Sequence, residues 1–142
     1  MKMPKTRRHF GIMLLILLGI GAAIYLVPTT FEKRFLTLLF EGIGQGAPFE
    51  LERATDFSWD RVCAYPRGTP ESDVNNMLGP NIRLRLKDFD ASGLIFIAQD
   101  KSLRPVILPV PGYVGRTGCW QKPDPIIIRP DEHPGAFKIV GR

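Results

Sequence analysis

Gly93-Leu94-Ile95-Phe96-Ile97-Ala98 is an uninterrupted apolar run, bounded by Asp88-Phe89-Asp90-Ala91-Ser92 before it and Gln99-Asp100-Lys101-Ser102 after it. The run is of strand length, and apolar side chains on both faces mark a central strand covered on both sides. The polar turn that follows leads into Pro105-Val106-Ile107-Leu108, so a β-hairpin is the natural product. Just upstream, Ile82-Arg83-Leu84-Arg85-Leu86 alternates in the manner of a half-exposed strand.

Working outward, Phe57-Ser58-Trp59-Asp60-Arg61-Val62-Cys63-Ala64-Tyr65 is rich in aromatic and small apolar residues and ends at Pro66, as a mostly buried strand would. Phe49-Glu50-Leu51-Glu52-Arg53 alternates as a shorter one. Between these and the central run, Pro66-Arg67-Gly68 turns the chain into a helix over Pro70 to Leu78. Thr69 is its expected N-cap, Glu71 and Asp73 sit in the positive end of its dipole, Val74, Met77 and Leu78 face inward, and Gly79 stops it. Downstream, Pro109, Pro111, Gly112, Gly115 and Gly118 predict an irregular crossing to Cys119-Trp120. Ile126-Ile127-Ile128 is a further strand, Arg129 to Gly135 a polar loop, and Phe137 to Val140 a last, edge strand. The fold class expected is α+β: an N-terminal transmembrane helix, then a small domain with one short helix on a mainly antiparallel sheet of five or six strands.

The transmembrane expectation comes from Phe10 to Val27, 18 residues without a charge. As a helix they reach about 27 Å, near the ~30 Å hydrocarbon core of a bilayer. Lys2, Lys5, Arg7 and Arg8 precede the run with no acid among them, which orients a single-pass anchor with its N-terminus in the cytoplasm and the rest of the chain in the periplasm. A cleaved secretory signal is the alternative, with Gly21-Ala22-Ala23 as the small-residue site and release near Ala23. Either way the domain is exported. The four basic residues also carry four of the +5 formal charges, leaving +1 for the remainder, so the basic balance is a topology signal and nucleic acid is not the expected partner.

After the run, Phe31, Phe35, Leu38 and Leu39 recur at helical spacing behind Thr29 and Thr30, an amphipathic segment that lies on the bilayer, on a partner helix or on its own domain. Gly42, Gly44 and Gly46 before Pro48 predict a joint. The expected division is therefore a basic tail over 1–9, an anchor over 10–27, a helix and Gly-rich linker over 28–47, and an exported domain over 48–142. Cys63 and Cys119 are the two cysteines of the chain. In an oxidising compartment such a pair is expected to form a disulfide, closing a loop of about 57 residues and stabilising by roughly 4 kcal/mol in the chain-entropy model. Two buried thiols, or separate partners, are the alternatives.

The Trp59-Asp60-Arg61-Val62 strand, the Pro-containing turn, the capped helix Pro70 to Leu78 and the Leu94-Ile95-Phe96-Ile97 hairpin resemble a family of small uncharacterised bacterial envelope proteins. The resemblance covers Asp56 to Leu108. It implies an exported α+β module, tethered by an N-terminal helix or lipid, and no particular activity. The cysteine pair and the Pro-rich C-terminal third fall outside it.

The residues offer little conventional catalytic chemistry. Nucleophilic hydrolysis needs a base beside Ser or Cys, and the exported part has one histidine, His133, in a Pro-flanked polar loop. No cofactor is expected. Asp88, Asp90 and Ser92, with Gly93 following, match the opening of a calcium loop, but Gln99 stands where the bidentate carboxylate belongs, and a solvated turn explains the same residues. Trp59, Tyr65 and Trp120 are the candidate ligand or partner surface, should they line one concavity. Three function classes follow: a non-catalytic envelope module that binds or supports another envelope component, an exported small-ligand or calcium-binding domain, and a small enzyme built on clustered polar groups in a cleft.

Overall fold

A computed structural model of the chain describes residues 31–85, 90–109 and 111–141. Contacts divide the chain into Met1–Arg34 and Phe35–Arg142, and the domain is the second of these units.

Residues 31–44 are helical (α1). The strands follow as β1 (Phe49–Glu50), β2 (Arg61–Tyr65), β3 (Ser92–Ile97), β4 (Leu103–Leu108), β5 (Gly112–Tyr113), β6 (Gly118–Gln121), β7 (Ile126–Pro130) and β8 (Ala136–Gly141). A 3-10 turn spans Leu51–Ala54, and a second α-helix (α2) spans Glu71–Leu78. The strands form two four-stranded sheets, ordered β4-β3-β2-β6 and β1-β7-β8-β5. Every pairing is antiparallel except β5 with β8.

The first sheet is built around the run that opens the sequence argument. All six positions of β3 are buried, and β2 is buried at four of its five. Strand alternation sends Cys63, Tyr65, Ile95 and Ile97 to one face, where they pack with Val74 and Leu78 of α2 and with Met77, Ile82, Leu84 and Leu103. Val62, Leu94 and Phe96 point to the other face. There Phe96 receives the edges of Phe35, Phe57 and Trp59, with ring centroids 5.3, 5.1 and 5.4 Å away. Trp120 lies on this second face as well, its indole against Gly141 of β8 and edge-on to Tyr113 of β5 at 6.5 Å. Tyr113 in turn meets Phe137 at 5.7 Å, and its N–H donates to the buried Ser92 Oγ at 3.1 Å. The core of the two sheets closes on these aromatic rings.

Several expectations are corrected. Among the described residues there are eight strands in two sheets where one sheet of five or six is expected, and two α-helices where the domain is given one. Among the described residues no helix is long and apolar enough to cross a membrane, and the part described is an α+β domain. The Phe10 to Val27 run itself lies outside the described residues. β8 is no edge strand: β7 and β5 flank it. The Ile82 to Leu86 alternation forms no strand over its described part, because Asn75 of α2 intervenes. Its Oδ1 accepts the Leu84 N–H at 2.8 Å, and its Nδ2 donates to the Leu84 carbonyl at 3.2 Å, supplying both bonds that a neighbouring strand would.

α2 starts at Glu71 with Pro70 in the capping position and without a side-chain cap. Thr69, the expected cap, instead donates its hydroxyl to the Pro66 carbonyl at 2.7 Å and closes the preceding turn. α1 runs through Gly42, which lies close to the Phe49 ring; a Cβ there would stand 2.7 Å from the ring's Cζ. Phe35, Leu39 and Ile43 are buried along one face of α1. This part of the helix therefore belongs with the compact unit, although the sequence reading sets the domain boundary at Pro48.

Candidate functional site

Cys63 and Cys119 are joined by a disulfide. They stand directly opposite each other on β2 and β6, on the face covered by α2, and Cys63 is fully buried. The Cys119 sulfur lies 3.6 Å from the Met77 carbonyl oxygen. The bridge ties a four-residue outer strand to the centre of its sheet.

The three aromatic candidates do not share a concavity. Tyr65 is buried on the α2 face and packs across Gly93, where a side chain would run into its ring. Trp120 is half-buried on the opposite face, against Gly141. Trp59 borders a cavity of about 300 Å³, with Glu50, Glu52, Lys122, Asp124 and Ile126 among its walls.

That cavity is assembled from the 3-10 turn and the β6–β7 connection. The 3-10 turn ends at Thr55, whose hydroxyl donates to the Glu52 carbonyl at 3.1 Å and accepts the Trp59 indole N–H at 3.1 Å. Asp60 then clips both sides of the site: its N–H donates to the Ile97 carbonyl at 2.9 Å, and its carbonyl accepts the Lys122 N–H at 2.8 Å. Lys122 opens the Pro-bracketed β6–β7 connection, in which the Lys122–Pro123 peptide bond is cis. Its ammonium pairs with the Glu52 carboxylate and lies over the Trp59 ring, 4.2 Å from the centroid. An indole face and a carboxylate together are what an ammonium ion needs on leaving water. Sequence reasoning singles out Trp59 but not Glu52 or Lys122. Their one sequence signal is Lys-Pro-Asp-Pro at 122–125, a turn that carries charge between two prolines.

The calcium-loop residues stand differently. Ser92 Oγ is buried and engaged by the Tyr113 N–H, whereas Asp90 is exposed and Asp88 lies outside the described residues. Among the described residues no three His, Cys, Asp or Glu side chains are grouped to hold a metal ion.

In the β7–β8 loop, Asp131 pairs with Lys138 at 2.8 Å and stands 3.6 Å from His133 Nδ1. The hydrogen bond from Lys138 holds the Asp131 carboxyl below its ordinary range. Its protonation on acidification is thereby delayed to lower pH.

No protein-family model, curated protein or solved structure matches the chain, so the site is read on its own geometry.

Proposed function

We propose that this chain is an exported bacterial envelope module that binds or supports another envelope component without catalysing a reaction. The observation that carries the reading is the Cys63–Cys119 disulfide inside the domain. Disulfides persist in oxidising compartments, and the periplasm is one. The N-terminal sequence supports the same location, since basic Lys2 to Arg8 followed by apolar Phe10 to Val27 is a pattern that directs a chain across the inner membrane. The Trp59 cavity favours a second reading, an exported small-ligand-binding domain, because a concavity that combines an aromatic wall with a few charged groups suits a ligand.

The test uses the full-length chain made with its own N-terminus in a bacterial host. Alkylation of intact cells before lysis, followed by mass spectrometry, is expected to leave Cys63 and Cys119 unmodified until a reductant is added. Protease added to spheroplasts is expected to digest the domain. Ready alkylation without reductant, or protection from the protease, overturns export. Crosslinking in living cells then identifies the neighbours; capture of an envelope component favours the first reading, and a domain that crosslinks to none favours the second.

A further inference from the structure

The walls of the Trp59 cavity carry three carboxylates, Glu50, Glu52 and Asp124, against the single ammonium of Lys122, a local charge of −2. The chain has placed its own cation on the indole face, with Glu52 as counter-ion. We propose that this cavity is a binding site for a primary alkylammonium group, with Lys122 as a resident surrogate that the ligand displaces. The proposal rests on the reading of the domain as a binding module, and it names the chemistry that the module recognises.

Three features make displacement workable. The platform does not depend on the plug: Trp59 is fixed by its N–H bond to Thr55 and by Phe96, which meets its ring at 5.4 Å. The Lys122 backbone is fixed too, through its bond to Asp60, so only the four-carbon side chain has to swing away. Its side chain is already 30 % exposed, which gives the departing ammonium direct access to water. What the Lys122 side chain gives up on leaving is this pairing, and a cation–π contact or ion pair near the surface is a weak one.

The vacated space suits a short alkyl stem. At about 300 Å³ the cavity is at the small end of the range for ligand pockets. Ile126 and the two prolines of the turn supply apolar wall for methylenes, while Glu52 and Asp124 supply the anionic end. A lysine side chain of a partner protein and a free polyamine share this chemistry. A neutral alcohol of the same length lacks the charge that both the indole and the carboxylates reward.

The experiment titrates the full-length chain, in a detergent with a neutral sugar head, with propylammonium chloride against potassium chloride at matched ionic strength, reading tryptophan fluorescence. A saturable response to propylammonium is expected, with none to propanol. Lys122→Gln, which removes the competitor, is expected to tighten binding about three- to tenfold. Glu52→Gln is expected to weaken it by a similar factor, and Asp124→Asn less, since Glu52 is the carboxylate that pairs with the ammonium over the ring. Near-ultraviolet circular dichroism shows that each variant retains its fold, and having three variants keeps the test decisive if one does not. Nα-acetyl-lysine methylamide and spermidine, as further probes, separate a peptide lysine from a polyamine. No saturable response in either the native chain or Lys122→Gln, or equal affinity in the native chain, Lys122→Gln and Glu52→Gln, overturns the site. Should the site fail while the cysteines remain protected in cells, export stands and the cation site alone falls.

Discussion

The two sheets bury their strands in different ways. β3, at the heart of the β4-β3-β2-β6 sheet, has no exposed position, because α2 covers one face and the aromatic core the other. β8, equally central in its own sheet, alternates: Phe137 and Ile139 are buried, whereas Lys138 and Val140 are exposed. Position within a sheet therefore does not decide burial in this protein; the number of covered faces does. A substitution in the first sheet disturbs packing whichever way its side chain points, and in the second sheet only every other residue is placed to do so.

The comparison can be broken first at Phe96, where three aromatic edges meet. Phe96→Ala is expected to cost about 4 kcal/mol in urea unfolding, a large share of the ~5–15 kcal/mol that holds a typical domain. A loss below about 1 kcal/mol would show that the doubly covered sheet is not the stability centre. Next comes the bridge between β2 and β6. Replacing Cys63 and Cys119 together by alanine is expected to lower stability by about 3 kcal/mol, and reductant should lower the native chain to the same level while leaving the variant unchanged.

Gly93→Ala probes whether the α2 face is packed without slack. The new methyl meets the Tyr65 ring, and a cost of about 2 kcal/mol is expected in the same unfolding assay. In the second sheet, Tyr113 adds a response to alkali. Burial pushes the Tyr113 phenol up from 10.0 to about 12. The folded state thus keeps its proton where the unfolded chain has lost it. The corresponding stability is whole below pH 10 and lost as pH rises toward about 12, a decline that tyrosinate absorbance and unfolding measured on the same samples should track together. The smallest effect belongs to the open face of β8: Val140→Lys should change stability by no more than about 0.5 kcal/mol.

Legibility followed the same division. β3 and β4 were readable because a continuous apolar run next to a polar turn has few alternatives, and α2 because proline, acidic residues and glycine punctuate it. β7 and β8 showed their apolar content, but not their neighbours. β5 was hidden in Gly112-Tyr113, two residues that become a strand only because β8 lies alongside. β6 looked like the end of an irregular crossing, since no local pattern announces that Val62 and Cys63 will pair with Trp120 and Cys119. The helix-breaking weight given to Gly42 was outvoted by the buried stripe of Phe35, Leu39 and Ile43 and by the space that Phe49 requires. At the site, Trp59 was visible as an aromatic in a stretch that reads as a mostly buried strand. Lys122 and Glu52 were not, because charged residues in a loop look alike until the fold brings them together.

The amide of Asn75 also fastens a whole segment to α2. Ile82 and Leu84 pack on the disulfide face, and they are tied to α2 by the two hydrogen bonds of this side chain and by the Ile82 N–H, which donates to the Gly79 carbonyl at 3.3 Å. A side-chain amide and one backbone bond thus hold, over this face, a segment that no strand pairs with among the described residues. Asn75→Ala removes the acceptor of the Leu84 N–H, and faster amide hydrogen exchange at Leu84 is expected while both sheets stay as they are.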